Sequence, residues 1–127
     1  MNKLDELLQM WSKDSVIDRT EPGKELINIP QLHSKYLNIL SRHRLLAKEC
    51  EYKFNRMKKL KWEYYTGKLD DDQLKHYGWE PFPFVLKSEI NTYFDSDEDL
   101  NKLSAQRILN EEIVEVCQSI LKELNSR

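Results

Sequence analysis

Residues 31–66, "QLHSKYLNILSRHRLLAKECEYKFNRMKKLKWEYYT", run without a glycine or a proline. Seam-forming side chains recur through the stretch at alternating steps of four and three: Tyr36, Leu40, His43, Ala47, Cys50, Phe54, Met57, Lys61 and Tyr64. This spacing predicts one heptad-like helix. At 1.5 Å per residue it would be about 54 Å long, more than a small domain needs. Part of its surface is therefore expected to meet another helix or another subunit.

The flanks are punctuated by turn residues: Pro22, Gly23 and Pro30 before the helix, and Gly67, Gly78, Pro81 and Pro83 after it. Upstream, Leu4, Leu7, Leu8 and Trp11 form an apolar stripe on a short helix of about residues 3–16. Downstream, "VLKSEINTYF" (85–94) reads as a helical segment, and Asp95 or Ser96 is placed to cap the helix that follows. That last helix, about residues 97–125, carries Leu100, Leu103, Ile108, Leu109, Ile113, Val116, Cys117, Ile120, Leu121 and Leu124, with Ser104 as the position for a bend. There is no period-two strand pattern, internal repeat or low-complexity tract. The expected fold is all-α and bundle-like, a single domain over residues 1–127 in which a long central helix packs with an N-terminal helix and amphipathic C-terminal helices. A chain of 127 residues supports one modest core.

Twenty lysines and arginines against 22 acids nearly cancel, so no global field draws the chain to nucleic acid or membrane. The distribution is uneven, however. Residues 42–61 carry 8 bases and 2 acids, whereas residues 89–127 carry 4 bases and 9 acids. A basic half-helix in a neutral chain can face the acidic C-terminal helix or a polyanion. The first 16 residues alternate charge with apolar side chains and match neither a signal peptide nor a membrane span. A cytosolic protein is expected, with Cys50 and Cys117 reduced and buried as small hydrophobes.

No catalytic constellation stands out. His33, His43 and His76 are scattered, no glycine-rich phosphate loop is present, and no nucleophile sits at a recognisable spacing from a base. "DSDEDLN" (95–101) begins like a calcium loop, but Leu100 stands where glycine is needed and Gln106 where glutamate is needed. It reads as a helix start, and "LDDDQL" (69–74) reads as a solvated helix cap. Neither metal nor cofactor is expected.

One chemical signal remains, "KKLKWEYYTG" (58–67). On a helix, Lys58, Lys61, Trp62 and Tyr65 fall within an arc of about 100°, with Lys59 further round. Lysines that track phosphates and rings that stack on splayed bases are the two components of sequence-independent single-strand binding. Aromatics packed into a neighbour, with lysines snorkelling past them, would leave the same pattern.

The runs "LQMWSKDSVID" (8–18), "IPQLHSKYLNI" (29–39), "KLKWEYYTGK" (59–68), "EPFPF" (80–84) and "DEDLNKL" (97–103) together resemble the UvsY family of phage recombination mediators, above all its forms in T4-like myoviruses. The most specific portion is Lys59–Gly67, similar to the family's lysine, basic, acidic, Tyr-Tyr, Ser/Thr, Gly pattern. In that pattern the two basic positions, here Lys59 and Lys61, are associated with single-stranded DNA; Lys61 stands where an arginine is typical. The resemblance implies a non-enzymatic protein of the infected host's cytoplasm. Such a protein binds single-stranded DNA coated by the phage single-strand-binding protein, helps a RecA-like recombinase nucleate on it, and works as a ring-shaped homo-oligomer. The family pattern continues beyond the position of Arg127 with a segment tied to oligomerisation, so residues 1–127 are expected to fold yet assemble less than a longer form.

The expected DNA-contacting set is Lys53, Arg56, Lys58, Lys59, Lys61, Trp62 and Tyr65. The competing class is a helical protein–protein adaptor whose basic helix docks an acidic partner without binding DNA.

Overall fold

A computed structural model describes residues 1–83 and 85–127; Phe84, the last residue of the EPFPF run, lies outside the described residues. Among these the chain forms α1 (Lys3–Asp14), α2 (Pro22–Tyr65), α3 (Asp71–Tyr77), a single 3₁₀ turn (Lys87–Glu89), α4 (Ile90–Ser96) and α5 (Glu98–Asn125), with no strand. The expected all-α class is what the chain adopts.

Helix α2 starts earlier than the sequence pattern predicts. Pro22 occupies its first position, where a missing N–H costs nothing, and Pro30 lies inside the helix. An internal proline removes the bond to the carbonyl four residues back. Here that carbonyl belongs to Leu26, which is exposed, so water can satisfy it. Helix α5 runs unbroken through Ser104. Its cap is Asp97, whose Oδ1 accepts the Leu100 N–H at 3.0 Å, and neither Asp95 nor Ser96 takes that role. Both lie within α4, so their own backbone is already helical.

The described residues cluster into two compact units, Met1–Lys48 with Arg107–Arg127, and Glu49–Gln106. In the first, α1 and the adjoining parts of α2 and α5 enclose a core of Leu7, Tyr36, Leu40, Ile113, Cys117, Ile120 and Leu124, flanked by Leu4, Met10 and Trp11. Leu8, expected in the α1 stripe, is 47% exposed, and Met10 packs in its place. Within this unit α1 is held to α2 by polar contacts. Asp14 accepts from Lys35 and from the Tyr36 hydroxyl at 2.9 Å, and the Trp11 and Tyr36 rings meet edge to face at 5.4 Å. Burial alone would raise the Asp14 pKa, but the hydrogen bonds from Lys35 and Tyr36 and the lysine charge hold it below the usual carboxylate value. Cys117 is fully buried, and burial pushes its thiol up to about 11, so it stays a neutral packing group. Cys50 is buried and free as well.

The second unit contains the end of α2, the segment 66–97 and the first turns of α5. Two glycines shape it. Gly67 (φ 73°) and Gly78 (φ 69°) both adopt the left-handed conformation. Each closes its helix with the same pair of bonds: Gly67 N–H to Tyr64 and Lys68 N–H to Glu63, then Gly78 N–H to Lys75 and Trp79 N–H to Leu74. Any side chain with a Cβ would be strained at either position. Between them Asp70 caps α3 through a reciprocal pair with Gln73, as the acidic run "LDDDQL" suggested.

A candidate nucleic-acid interface

The stretch from Lys53 to Lys68 divides into two faces with different fates. Lys61 is 5% exposed. Its ammonium lies 3.1 Å from Asp97 and 2.8 Å from Asp99, and sits 4.0 Å from the centroid of the Trp79 ring. Three donors thus meet two carboxylates and a ring face, and none is left for a phosphate. Tyr65 is 8% exposed, with its hydroxyl donating to Asp97 at 2.6 Å and its ring among Tyr64, Phe82, Tyr93 and Phe94. Asp97 is the hub. One of its oxygens caps α5 while the other accepts from Tyr65 and Lys61, which ties the end of α2 to the start of α5 within this unit.

The electrostatics agree with this geometry. Burial would push the Asp97 pKa up, but the Tyr65 hydroxyl, the Leu100 N–H and Lys61 together pull it below the ordinary value. The Tyr65 phenol is displaced upward by burial and by the adjoining Asp97 carboxylate, so it remains a protonated donor.

Two members of the expected DNA-contacting set are therefore placed inward. Lys61 and Tyr65 are internal, because the side of α2 on which the sequence groups Lys58, Lys61, Trp62 and Tyr65 is the side that α4 and the 78–83 segment cover. Lys58 stays exposed near this edge, its ammonium 5.5 Å from the Phe94 ring centroid. Trp62 is half-buried, and the Gly67 turn brings the Lys68 ammonium to 4.0 Å above its ring. One face of that indole is already occupied.

The other side of α2 is open. Lys53, Arg56 and Lys59 are exposed, with Lys53 in an exposed i,i+4 pair to Glu49 at 3.1 Å. Tyr52, absent from the expected set, is 58% exposed. It stands at i, with Arg56 at i+4 and Lys59 at i+7, so an uncovered ring lies on one helix face with two cations. The signal for it lies in the i,i+4,i+7 spacing, which is weaker than the denser aromatic run ten residues on. Two lysines and an arginine with an exposed tyrosine, and Lys58 at the neighbouring edge, make a surface that can attract phosphates and offer a ring face to a base. Among the described residues no cluster of histidine, cysteine and carboxylate side chains is arranged to hold a metal ion.

Residues 10–127 match the family described as "Recombination, repair and ssDNA binding protein UvsY". The chain belongs to the UvsY family. It is 28% identical over 128 residues to the recombination protein uvsY of Enterobacteria phage T4, an alignment that covers 98% of this chain and 87% of that relative. It also superposes on the crystal structure of the bacteriophage T4 recombination mediator protein UvsY with a TM-score of 0.82 and 26% identity, over 99% of this chain and 88% of that one. Membership in the UvsY family thus rests on sequence and fold together. No described helix is long and apolar enough to cross a membrane.

Proposed function

We propose that this chain is a non-enzymatic recombination mediator that binds single-stranded DNA through the open face of α2 and the exposed Lys58–Trp62 edge beside it. Lys53, Arg56, Lys58 and Lys59 contact phosphates, and Tyr52 and the free edge of Trp62 meet bases. Lys61 and Tyr65 act one step back, as positioning residues that hold the end of α2 against the start of α5. The observation that carries this reading is the exposure of four cations and a ring on α2 in a chain of the UvsY family. In the infected host's cytoplasm the bound strand would be one covered by the phage single-strand-binding protein, and the product a strand on which a RecA-like recombinase can nucleate. Association into a ring would line up copies of the α2 face, and multivalency would then turn weak single-chain contacts into tight binding.

Fluorescence anisotropy of labelled oligo(dT) across a salt series tests this. Each phosphate neutralised on a single strand contributes about 0.7 to the logarithmic salt slope, so four cations give a slope of about −3 per chain. Binding is expected without nucleotide or divalent metal and with preference for single strands over duplex. An unchanged anisotropy at low salt would favour an adaptor that docks an acidic protein, equal retention of duplex would show an unselective polyanion surface, and either result sinks the proposal.

A further inference from the structure

Within the Glu49–Gln106 unit, α2 and the second turn of α5 leave a cavity of about 290 Å³ open to solvent, bounded by Lys53, Arg56, Met57, Leu60 and Leu103. Its floor and walls are apolar: a thioether and two leucine side chains, all only half-buried. Its rim carries two cations. Four of the five residues follow the i,i+3,i+4,i+7 spacing of one helix face, so α2 supplies one whole side of the cavity. The fifth, Leu103, is one turn along α5 from Asp99, the residue that Lys61 grips. That ion pair, together with the buried Lys61–Asp97 pair beside it, therefore anchors the wall opposite α2.

We infer that this cavity is a nucleobase subsite, which takes one unstacked base of the bound strand while Arg56 and Lys53 hold the flanking phosphates. The inference rests on the single-strand reading above and deepens it. Three features of the cavity select this occupant. The volume lies at the lower end of small-ligand sites, near 300 Å³, which suits a flat ring system better than a peptide helix. A base removed from its stack is commonly held between apolar side chains, and a methionine sulfur adapts to a ring of either size. The charge pattern, an apolar floor beneath a cationic rim, is complementary to a nucleotide, whose neutral base carries its anionic phosphate at the edge. Arg56 also lies between the cavity and the Tyr52 ring around the helix, so one guanidinium can bind the phosphate that links a base on Tyr52 to a base in the cavity. No hydrogen-bonding side chain lines the floor, so bases are accepted without sequence preference.

The test compares two strands of roughly ten nucleotides, oligo(dT) and an all-abasic phosphodiester of the same length, in which charge is kept and bases are absent. The wild-type chain is expected to bind oligo(dT) more tightly at fixed salt, with the cavity contributing about tenfold of the preference, within the range that one stacked base contributes. Leu103→Gln keeps the charge, approximate volume and helix propensity, so it should remove the cavity's tenfold share of that preference, leave the share that Tyr52 and Trp62 supply, and keep the salt slope unchanged. Should Leu103→Gln lose its circular dichroism, Met57→Gln on the opposite wall serves instead. Equal binding of the two strands by the wild type, or a preference that both substitutions leave undiminished, overturns the subsite while single-strand binding stands. A change of sedimentation in Leu103→Gln with the preference retained assigns the cavity to a second copy of this chain and likewise overturns it. Failure of the wild type to bind either strand overturns the single-strand reading along with the subsite.

Discussion

Lys61→Ala lowers the stability of the chain by about 3 kcal/mol, because it leaves the Asp97 carboxylate buried without its cation. The penalty stays at the low end of the range for breaking a buried pair, since Tyr65 and the Leu100 N–H still donate to Asp97. A melting temperature lower by on the order of 10 °C is expected by circular dichroism. The same variant changes the pH dependence. Asp97 has a depressed pKa in the folded chain, so its contribution is fully present above the ordinary carboxylate value near 3.9 and is lost as pH falls through the folded value. Without Lys61, one cause of the depression disappears while burial remains, and the acid unfolding midpoint should move to higher pH. Lys61→Arg, which keeps the charge, should recover part of both losses. A Lys61→Ala protein that melts like the wild type and loses a full phosphate increment from its salt slope would return Lys61 to the DNA-contacting surface.

The quadruple variant Lys53→Ala, Arg56→Ala, Lys58→Ala, Lys59→Ala has the opposite signature. Removing a slope of about 3 costs on the order of a few hundredfold in affinity for oligo(dT) at 0.1 M salt, measured against a 1 M reference where the electrostatic contribution is screened out. Stability should change by less than about 1 kcal/mol. All four side chains are exposed; Lys53 makes a solvent-facing pair with Glu49, and Lys58 a distant approach to the Phe94 ring. The two variants together separate folding from binding within a span of nine residues. A double substitution of Lys59 and Lys61, by contrast, mixes the two effects and cannot be read as a binding experiment. A quadruple variant that binds oligo(dT) as the wild type does would move the interface off α2.

The long helix illustrates what periodicity can reveal. Tyr36, Leu40, His43, Ala47, Cys50 and Lys61 all fall on the seam marked by alternating steps of four and three, and all six are buried. Such a seam is local information, since a helix has one period and the chain displays it directly. The cap at Asp70 and the turns at Gly67 and Gly78 were legible for the same reason, because each depends on residues within five positions of one another. The start of α2 was less so. The sequence shows Pro30 as a break, and only the exposure of Leu26, a fact about surroundings, makes an internal proline tolerable there.

The role of "KKLKWEYYTG" could not be decided from the stretch itself. Basic and aromatic residues on one side of a helix describe a DNA-binding face and a packed face equally well, and the difference lies in what the rest of the chain brings against them. Asp97 and Asp99, more than 30 positions downstream, claim Lys61; Trp79 covers its ammonium, and Phe82, Tyr93 and Phe94 enclose Tyr65. None of these pairings has a period or a spacing to announce it. The sequence by itself determined the helical class, the seam of the long helix, the local cap at Asp70 and the location of the positive charge, because these follow from short-range sterics and composition. Tertiary structure alone decided which of those charges reach solvent, because burial of a lysine depends on distant carboxylates arriving close enough to offset its desolvation.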